Sequence, residues 1–402
     1  MSRPGVLIIG GGFAGLECAN ALDPREFAVT LVDARSSFEF LPNIHELLSG
    51  VKRPSELRLP LASAMKATGH RFVRARVSSI DPEGRSVRAG RRRLAADYLV
   101  IAVGAVDADY GIGGVSEYAL GFKSVDQCQA IHERLETIAG TTRSRVVVVG
   151  GGLEGIEGLG EILRRYAGEL SSITLVEARD RLLPGTPGGV HRHLEKLIEA
   201  AGVELVFDDA VERITPRTVL LASGRRLRSD ATIWTGGPAP APLLVDSGLA
   251  EPGSWVPVRN NLEHREHRNV FVVGDAAELP APLRKQAYHA LDMGRCAARN
   301  IERRAAGRRL AGFKPSPKPT LLAFGDMDTV LITDRIAVAG PALATGKEAV
   351  FTAVMAGLDR RGAPARARAV LERSLNASRR LLWPTLTDRQ RLLRSGRLRT
   401  LT

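Results

Sequence analysis

Paired cysteines are missing from this chain. Cys18, Cys128 and Cys296 are the only three in 402 residues, widely separated and without a CxxC. That excludes a local redox-active disulfide, a zinc ribbon and a disulfide-stapled secreted scaffold. No run of 18 apolar residues occurs, so no helix is expected to span a membrane. The chain enters a strand pattern within its first residues, which leaves no room for a signal peptide, and a cytoplasmic protein is the expectation. No grouping of His, Cys, Asp and Glu has zinc-ligand spacing; His191 and His193 read as a solvated pair on a helical pattern, and no metal is expected. The composition is 44% apolar and 25% charged, with a formal charge of +13, which is ordinary for a soluble globular protein. The length suits two or three domains.

Two segments share one plan. Residues 5–33 read as a strand (Gly5-Val-Leu-Ile-Ile9), glycines, a helix to Leu22 and a second strand (Val29-Thr-Leu-Val-Asp33). Residues 145–177 repeat it, from Arg145-Val-Val-Val-Val149 through a helix to Tyr166 and on to Ile173-Thr-Leu-Val-Glu177. Each is a strand–helix–strand unit of about 30 residues, the size a parallel crossover needs. The apolar runs do not alternate, as expected of strands covered on both faces. Residues 97–104, 230–236 and 269–275 read as further buried strands. Proline-rich stretches at 238–242 and 315–319 read as linkers or domain edges. The apolar segment 350–358 is too short to span a membrane and reads as a core or interface helix. The fold class is therefore α/β, with two doubly wound Rossmann-like domains.

The glycine loops carry the chemistry. Gly10-Gly-Gly12-Phe-Ala-Gly15 is a GxGxxG that follows a strand and opens a helix: Gly10 for the turn, Gly12 for close approach of a pyrophosphate, Gly15 for helix packing. Asp33 lies 18 residues beyond Gly15, placed to accept hydrogen bonds from a ribose diol. Gly150-Gly-Gly152-Leu-Glu-Gly155 repeats the loop, with Glu177 22 residues beyond. A 2′-phosphate beside Glu177 would meet like-charge repulsion, which favours NADH over NADPH, although Arg179 and Arg181 pull the other way.

These residues, with Ala102-Val-Gly104, Gly111-Ile-Gly-Gly-Val115, Phe122-Lys-Ser124 and Val272-Val-Gly-Asp275, resemble the two-dinucleotide flavoprotein superfamily. Ile233-Trp-Thr-Gly-Gly237 and the segment from Gly150 to Glu161 are similar to its type II NADH dehydrogenase branch. The likeness covers about residues 5–304. It implies a glutathione-reductase-like arrangement: an FAD domain over 1–115 and 259–305, an NAD(H) domain over 116–258, and an acceptor, membrane or dimer interface domain over 306–402. FAD would then meet Gly10, Gly12, Phe13, Ala14, Gly15, Asp33 and Val77. It would also meet Ala102, Gly104, Gly274, Asp275, Gln286 and Ala287. NADH would meet Gly150, Gly152, Glu154, Gly155, Glu177 and Gly236.

In the same likeness Glu157 lies near nicotinamide and flavin. The family's acceptor-side motif Ala-Gln-x-x-x-Gln stands here as Lys285-Gln-Ala-Tyr-His-Ala290, which keeps Gln286 only. Glu157, Gln286 and Lys285 are the catalytic candidates, Lys285 as a charge that would stabilise a reduced flavin, although a solvated lysine is its default reading. His45-Glu46 is read as a loop near FAD or as an ordinary loop entering a helix. Tyr288 and His289 line an acceptor pocket or pack in the core. Without two thiols beside the flavin, the chain departs from disulfide reductases and sulfide:quinone reductases.

Residues 360–402 hold twelve arginines against Glu372 and Asp388. Their pattern is that of a basic amphipathic helix ending at Trp383, suited to an anionic membrane surface on the inner face of the cell membrane. A helix packed on the body or on a second subunit competes with that reading; nucleic acid is disfavoured because no aromatic residues interleave for base stacking. The expected function is an FAD-dependent oxidoreductase carrying hydride from NADH and electrons on to a quinone. The alternatives are a reductase of a soluble protein carrier or other small acceptor, and a flavoprotein that works mainly as an interaction protein through its basic tail.

Overall fold

The computed structural model describes residues 3–362, positions 366, 367, 370, 371, 373, 374 and 377, and residues 398–401. Most of the basic segment read as an amphipathic tail therefore lies outside the described residues.

Buried apolar runs build the first sheet. Val6 to Ile9, Leu31, Val32 and Leu99 to Ile101 are all nearly inaccessible to solvent, so strands with no polar face stack side by side under helices. The order is Val270–Val272, Tyr98–Ile101, Gly5–Ile9, Ala28–Asp33, Arg71–Arg74, with every pair parallel. The outermost strand, Val270–Val272, comes from more than 160 residues later in the chain than its neighbour. A second parallel sheet runs Glu204–Val206, Ser172–Val176, Arg145–Val149, Ala231–Trp234. Each sheet carries a three-stranded antiparallel meander, at residues 77–95 and 211–228.

One of the two proline-rich stretches read as linkers or domain edges is itself paired. Pro238–Pro240 forms an antiparallel ribbon with Ala105–Asp107, tying together the two connections between the parallel sheets. Proline is tolerated there because a two-stranded ribbon leaves outward N–H positions that need no partner.

A third, antiparallel sheet runs Thr320–Phe324, Asp328–Ile332, Ala337–Ala339, Arg399–Leu401. Its first hairpin packs on helix Leu153–Tyr166 backbone to backbone: a Cβ at Gly160 would overlap Gly325, and one at Gly325 would overlap the Gly160 carbonyl. The apolar segment read at 350–358 is the second half of a longer helix, Leu343–Leu358, which buries Phe351, Met355 and Leu358. Among the described residues no helix is long and apolar enough to cross a membrane.

Candidate active site

The two glycine loops are built alike. Gly10 and Gly150 adopt φ of +100° and +109°, a region closed to side chains. A Cβ at Gly15 would overlap the Gly10 carbonyl oxygen, and one at Gly155 would overlap that of Gly150. Gly12 and Gly152 face open space and precede helices Phe13–Ala21 and Leu153–Tyr166, neither of which has a side-chain cap. Two helix N-termini are left with unpaired N–H groups and a positive dipole end, the arrangement that receives phosphates.

The acidic partners do more than the sequence suggested. Asp33 accepts hydrogen bonds from Gly11 N at 2.6 Å and Arg35 N at 2.7 Å. Glu177 accepts from Gly151 N at 2.6 Å and Arg179 N at 3.0 Å. Each carboxylate thus pins its own glycine loop while keeping lone pairs for a ribose. Arg181 turns toward the Thr186 carbonyl, 3.3 Å away.

Around the first loop the fold gathers Ala14, Ala102, Gly274 and Ala290: Ala102 O and a Gly10 Cβ would overlap, and Ala14 and Ala290 flank Gly274. Phe13 opens the helix behind the first loop, which leaves its backbone N–H at the helix N-terminus, while its ring is buried against Phe38 and Phe40. Val77 opens the first meander, and Ala287 starts helix Ala287–Ala305 with Gln286 as its N-cap. Gly236 accepts a hydrogen bond from Tyr110 Oη at 2.6 Å. Glu154 pairs with Lys123, and burial raises its carboxyl pKa against the pull of that lysine.

Lys285 is not a solvated lysine. Its ammonium donates to Ala277 O at 2.7 Å and lies 4.2 Å from the centre of the Trp255 ring. Burial lowers its pKa, and burial raises that of Asp275, each opposing the other's shift. Both line a cavity of about 220 Å³ together with Trp255, Gln286, His289 and Met293. His193 also departs from the solvated reading: it bonds Asp328 at 2.9 Å, and that carboxylate is further held by Arg399.

Two of the catalytic candidates, Gln286 and Glu157, converge on the edge strand Thr320–Phe324. Gln286 Nε2 reaches Thr320 Oγ1 at 3.4 Å. Glu157 Oε1 accepts the Ala323 N–H at 3.0 Å and a hydrogen bond from Lys347 Nζ. Burial pushes the Tyr288 phenol up to about 12, with Glu157 adding to the shift. His45 completes the group: it is 2% exposed, with Nδ1 3.5 Å from Glu157 Oε2 and Nε2 3.3 Å from Lys347 Nζ. With the lysine donating to Nε2, the ring proton belongs on Nδ1, facing Glu157. Lys347 and Thr320 had no signal in the sequence, because their partners lie over a hundred residues away or on another element. Among the described residues no cluster of three or more His, Cys, Asp or Glu is placed to hold a metal ion.

Two buried groups beside this cluster titrate in opposite senses. Burial pushes His45 down to about 4 from 6.5, with Glu157 opposing the shift. Its contribution to stability is present above 6.5 and lost as pH falls through 4, an effect of about 3 kcal/mol. Burial pushes Glu161 up to about 7 from 4.5, with Arg164 opposing. Its contribution is present below 4.5 and lost as pH rises through 7, again by about 3 kcal/mol. Over the interval where both act the slopes oppose. The melting temperature of the native sequence is expected to change little there, to rise with pH in Glu161→Gln and to fall in His45→Gln. Identical pH dependence in all three proteins would show that neither group behaves this way.

The comparisons with known proteins agree with this geometry. The family model described as pyridine nucleotide-disulphide oxidoreductase matches residues 4–294. A curated relative, demethylphylloquinone reductase NdbB of Synechocystis, is 28% identical over 375 residues, covering 87% of this chain and 92% of that protein. The type II NADH:quinone oxidoreductase of Staphylococcus aureus is 26% identical over 381 residues, covering 87% and 94%. Among solved structures, NDH2 from Plasmodium falciparum in complex with NADH has the same fold, with a TM-score of 0.83 at 15% identity over 94% of this chain and 98% of the other. Matched loops, matched sheets and a family model spanning most of its length place this chain in the pyridine nucleotide-disulphide oxidoreductase family, as an oxidoreductase of the two-dinucleotide flavoprotein fold.

Proposed function

We propose that this protein takes hydride from NADH onto FAD held in the first cradle and passes the electrons to a quinone. The observation that carries the reading is the duplicated cradle. Two uncapped helix N-termini, each behind a glycine turn braced by its own carboxylate, suit two dinucleotides rather than one. Bound FAD supplies two-electron acceptance from a nicotinamide and onward electron release. The first loop fits it: the open side of Gly12 admits a pyrophosphate, and Asp33 keeps lone pairs for a ribose. Glu177, held against the second loop, favours NADH over NADPH through repulsion of a 2′-phosphate. The residues 1–115 with 259–305 are assigned to FAD, 116–258 to NADH, and 306–402 to the acceptor side.

Quinone as acceptor is supported by the names of the two curated relatives and by the group at the edge strand. A quinone that gains two electrons also takes two protons. Glu157 and Lys347 can pass a proton between Oε1 and Nζ, while the Ala323 N–H and His45 keep both ends aligned. Gln286 meets the same strand at Thr320, and the Glu157 charge acts on the Tyr288 phenol. Attachment to a membrane surface through the basic segment 360–402 belongs to this reading.

The test is direct. The purified protein is expected to be yellow, to bleach anaerobically on addition of NADH, and to recover its colour on addition of a short-chain quinone. NADPH should bleach it with clearly lower efficiency. A protein that stays oxidised in NADH, or that once reduced ignores quinones, is not this enzyme.

A further inference from the structure

Lys52 is a lysine with no solvent-exposed side-chain surface. Its ammonium bonds Glu348 Oε2 at 2.6 Å, lies 3.4 Å from Glu46 Oε2 and sits 4.3 Å from the centre of the Phe351 ring. Glu46 is further held by Asn43 at 2.7 Å. The mechanism proposed above uses none of these side chains, and a fully buried lysine needs a reason.

The reason lies one residue away. Glu348 directly follows Lys347 on helix Leu343–Leu358, just as Glu46 directly follows His45 on the turn Leu41–Leu47. The same two elements therefore meet twice: once through His45 and Lys347 beside Glu157, and once through Glu46 and Glu348 on either side of Lys52. A rigid helix cannot shift Glu348 without shifting Lys347. Phe351 extends the anchor, since its ring meets Phe40 at 4.9 Å, which meets Phe13 of the first glycine loop at 5.4 Å.

We infer that Lys52 is a positioning residue for the acceptor side: by bridging Glu46 and Glu348 it fixes helix Leu343–Leu358 so that Lys347 rests on Glu157. This inference rests on reading Glu157 and Lys347 as the acceptor-side pair. Without the ammonium, two buried carboxyl groups lose the cation that joins them, and the helix that carries Lys347 loses its anchor to the turn.

The charged groups facing Lys52 are Glu46 and His45 from the turn, Lys347 and Glu348 from the helix, and Arg373, whose guanidinium lies 5.8 Å from the Phe351 ring. Asp359 and Arg361 pair with each other just beyond the helix end, and Glu157 and Glu161 face the turn from helix Leu153–Tyr166. Burial disfavours an ionised Glu46, yet Lys52 and His45 together hold its carboxyl down to about 2. Glu46 therefore stays charged at neutral pH, and the bridge from Lys52 to the turn persists across the working range.

The experiment separates the two half-reactions of the flavin-loaded enzyme. In Lys52→Met, flavin content and reduction by NADH should stay within about twofold of the parent, whereas reoxidation by a short-chain quinone should slow by about tenfold or more. In a Lys347→Met background the same substitution should change reoxidation by less than about twofold, because its effect runs through Lys347. Amide exchange over 343–358 should accelerate while that of strand Gly5–Ile9 does not. Glu348→Gln, a milder change, should show the same pattern and serves if Lys52→Met does not fold. Additive effects in the double variant, equal losses in both half-reactions, or unchanged exchange over 343–358 each overturn the inference. Lys347→Met alone with normal reoxidation refutes the acceptor-side pair instead, and the exchange measurement still decides whether Lys52 anchors the helix.

Discussion

Gly15→Val is expected to leave purification colourless. The Cβ that this change introduces would overlap the Gly10 carbonyl oxygen, so the helix has to back away from the turn that it now seals. The first turn of helix Phe13–Ala21 is the proposed pyrophosphate seat, and its N–H groups would no longer point at a common centre. Affinity built from several such donors collapses together, at least about a hundredfold for a loss near 3 kcal/mol. The duplicate supplies the control within the same molecule. Gly155→Val meets the same obstruction against the Gly150 carbonyl, yet it should remain yellow and fail to bleach with NADH. Circular dichroism of both variants separates a lost seat from a lost fold. A yellow Gly15→Val protein of normal flavin stoichiometry would refute the first seat, and a Gly155→Val protein reduced at the parental rate would refute the second.

Glu157→Gln and Lys347→Met are the next largest expected effects. Each removes one end of the hydrogen bond that is proposed to carry a proton, and general acid–base contributions of this kind are worth about 10² or more in rate. Reoxidation by quinone is expected to fall by about that factor in either variant. The double variant should fall no further, because a relay broken once is already broken. Lys347→Met also strands Glu157 beside His45, so His45 is expected to take up a proton more readily there than its native value of about 4 implies. Measured by NMR, an unmoved imidazole titration in Lys347→Met would contradict the arrangement at the edge strand. Retention of full quinone reactivity in both single variants would remove the pair from the mechanism.

The legible parts of this molecule are those written at fixed short offsets. Strand, glycine turn, helix and acid follow one another within about 30 residues in each unit, and local geometry alone fixes where Gly10, Gly15, Gly150 and Gly155 must sit. Even there, Asp33 and Glu177 carried a second task that spacing did not disclose, namely bracing the loops through Gly11 N and Gly151 N. What the chain assembles from afar left no periodic trace. Lys347 reaches Glu157 across 190 residues and His45 across 302, and Lys52 reaches Glu348 across 296. Each looks like a surface lysine in a string of letters, because burial is a property of what packs over a residue. Phe13 carried a second task as well: it opens the helix at the glycine loop, and its ring packs edge-on against Phe38 and tilted against Phe40, which no short offset discloses. The prolines at 238–240 read as a linker or a domain edge, and the pairing of that stretch with Ala105–Asp107 at the junction of the two parallel sheets is what no local pattern disclosed.

Strand Arg399–Leu401 has a practical bearing on anyone cutting this gene. It is hydrogen-bonded to Ala337–Ala339, and its Arg399 shares the Asp328 carboxylate with His193. The last described residues are consequently stitched into the third sheet. A stop codon placed ahead of Arg399 would unzip a sheet edge and leave a sunken aspartate with one companion fewer, so a probe of the basic stretch is an internal excision that spares both the closing strand and Arg373, which sits beside the Phe351 ring.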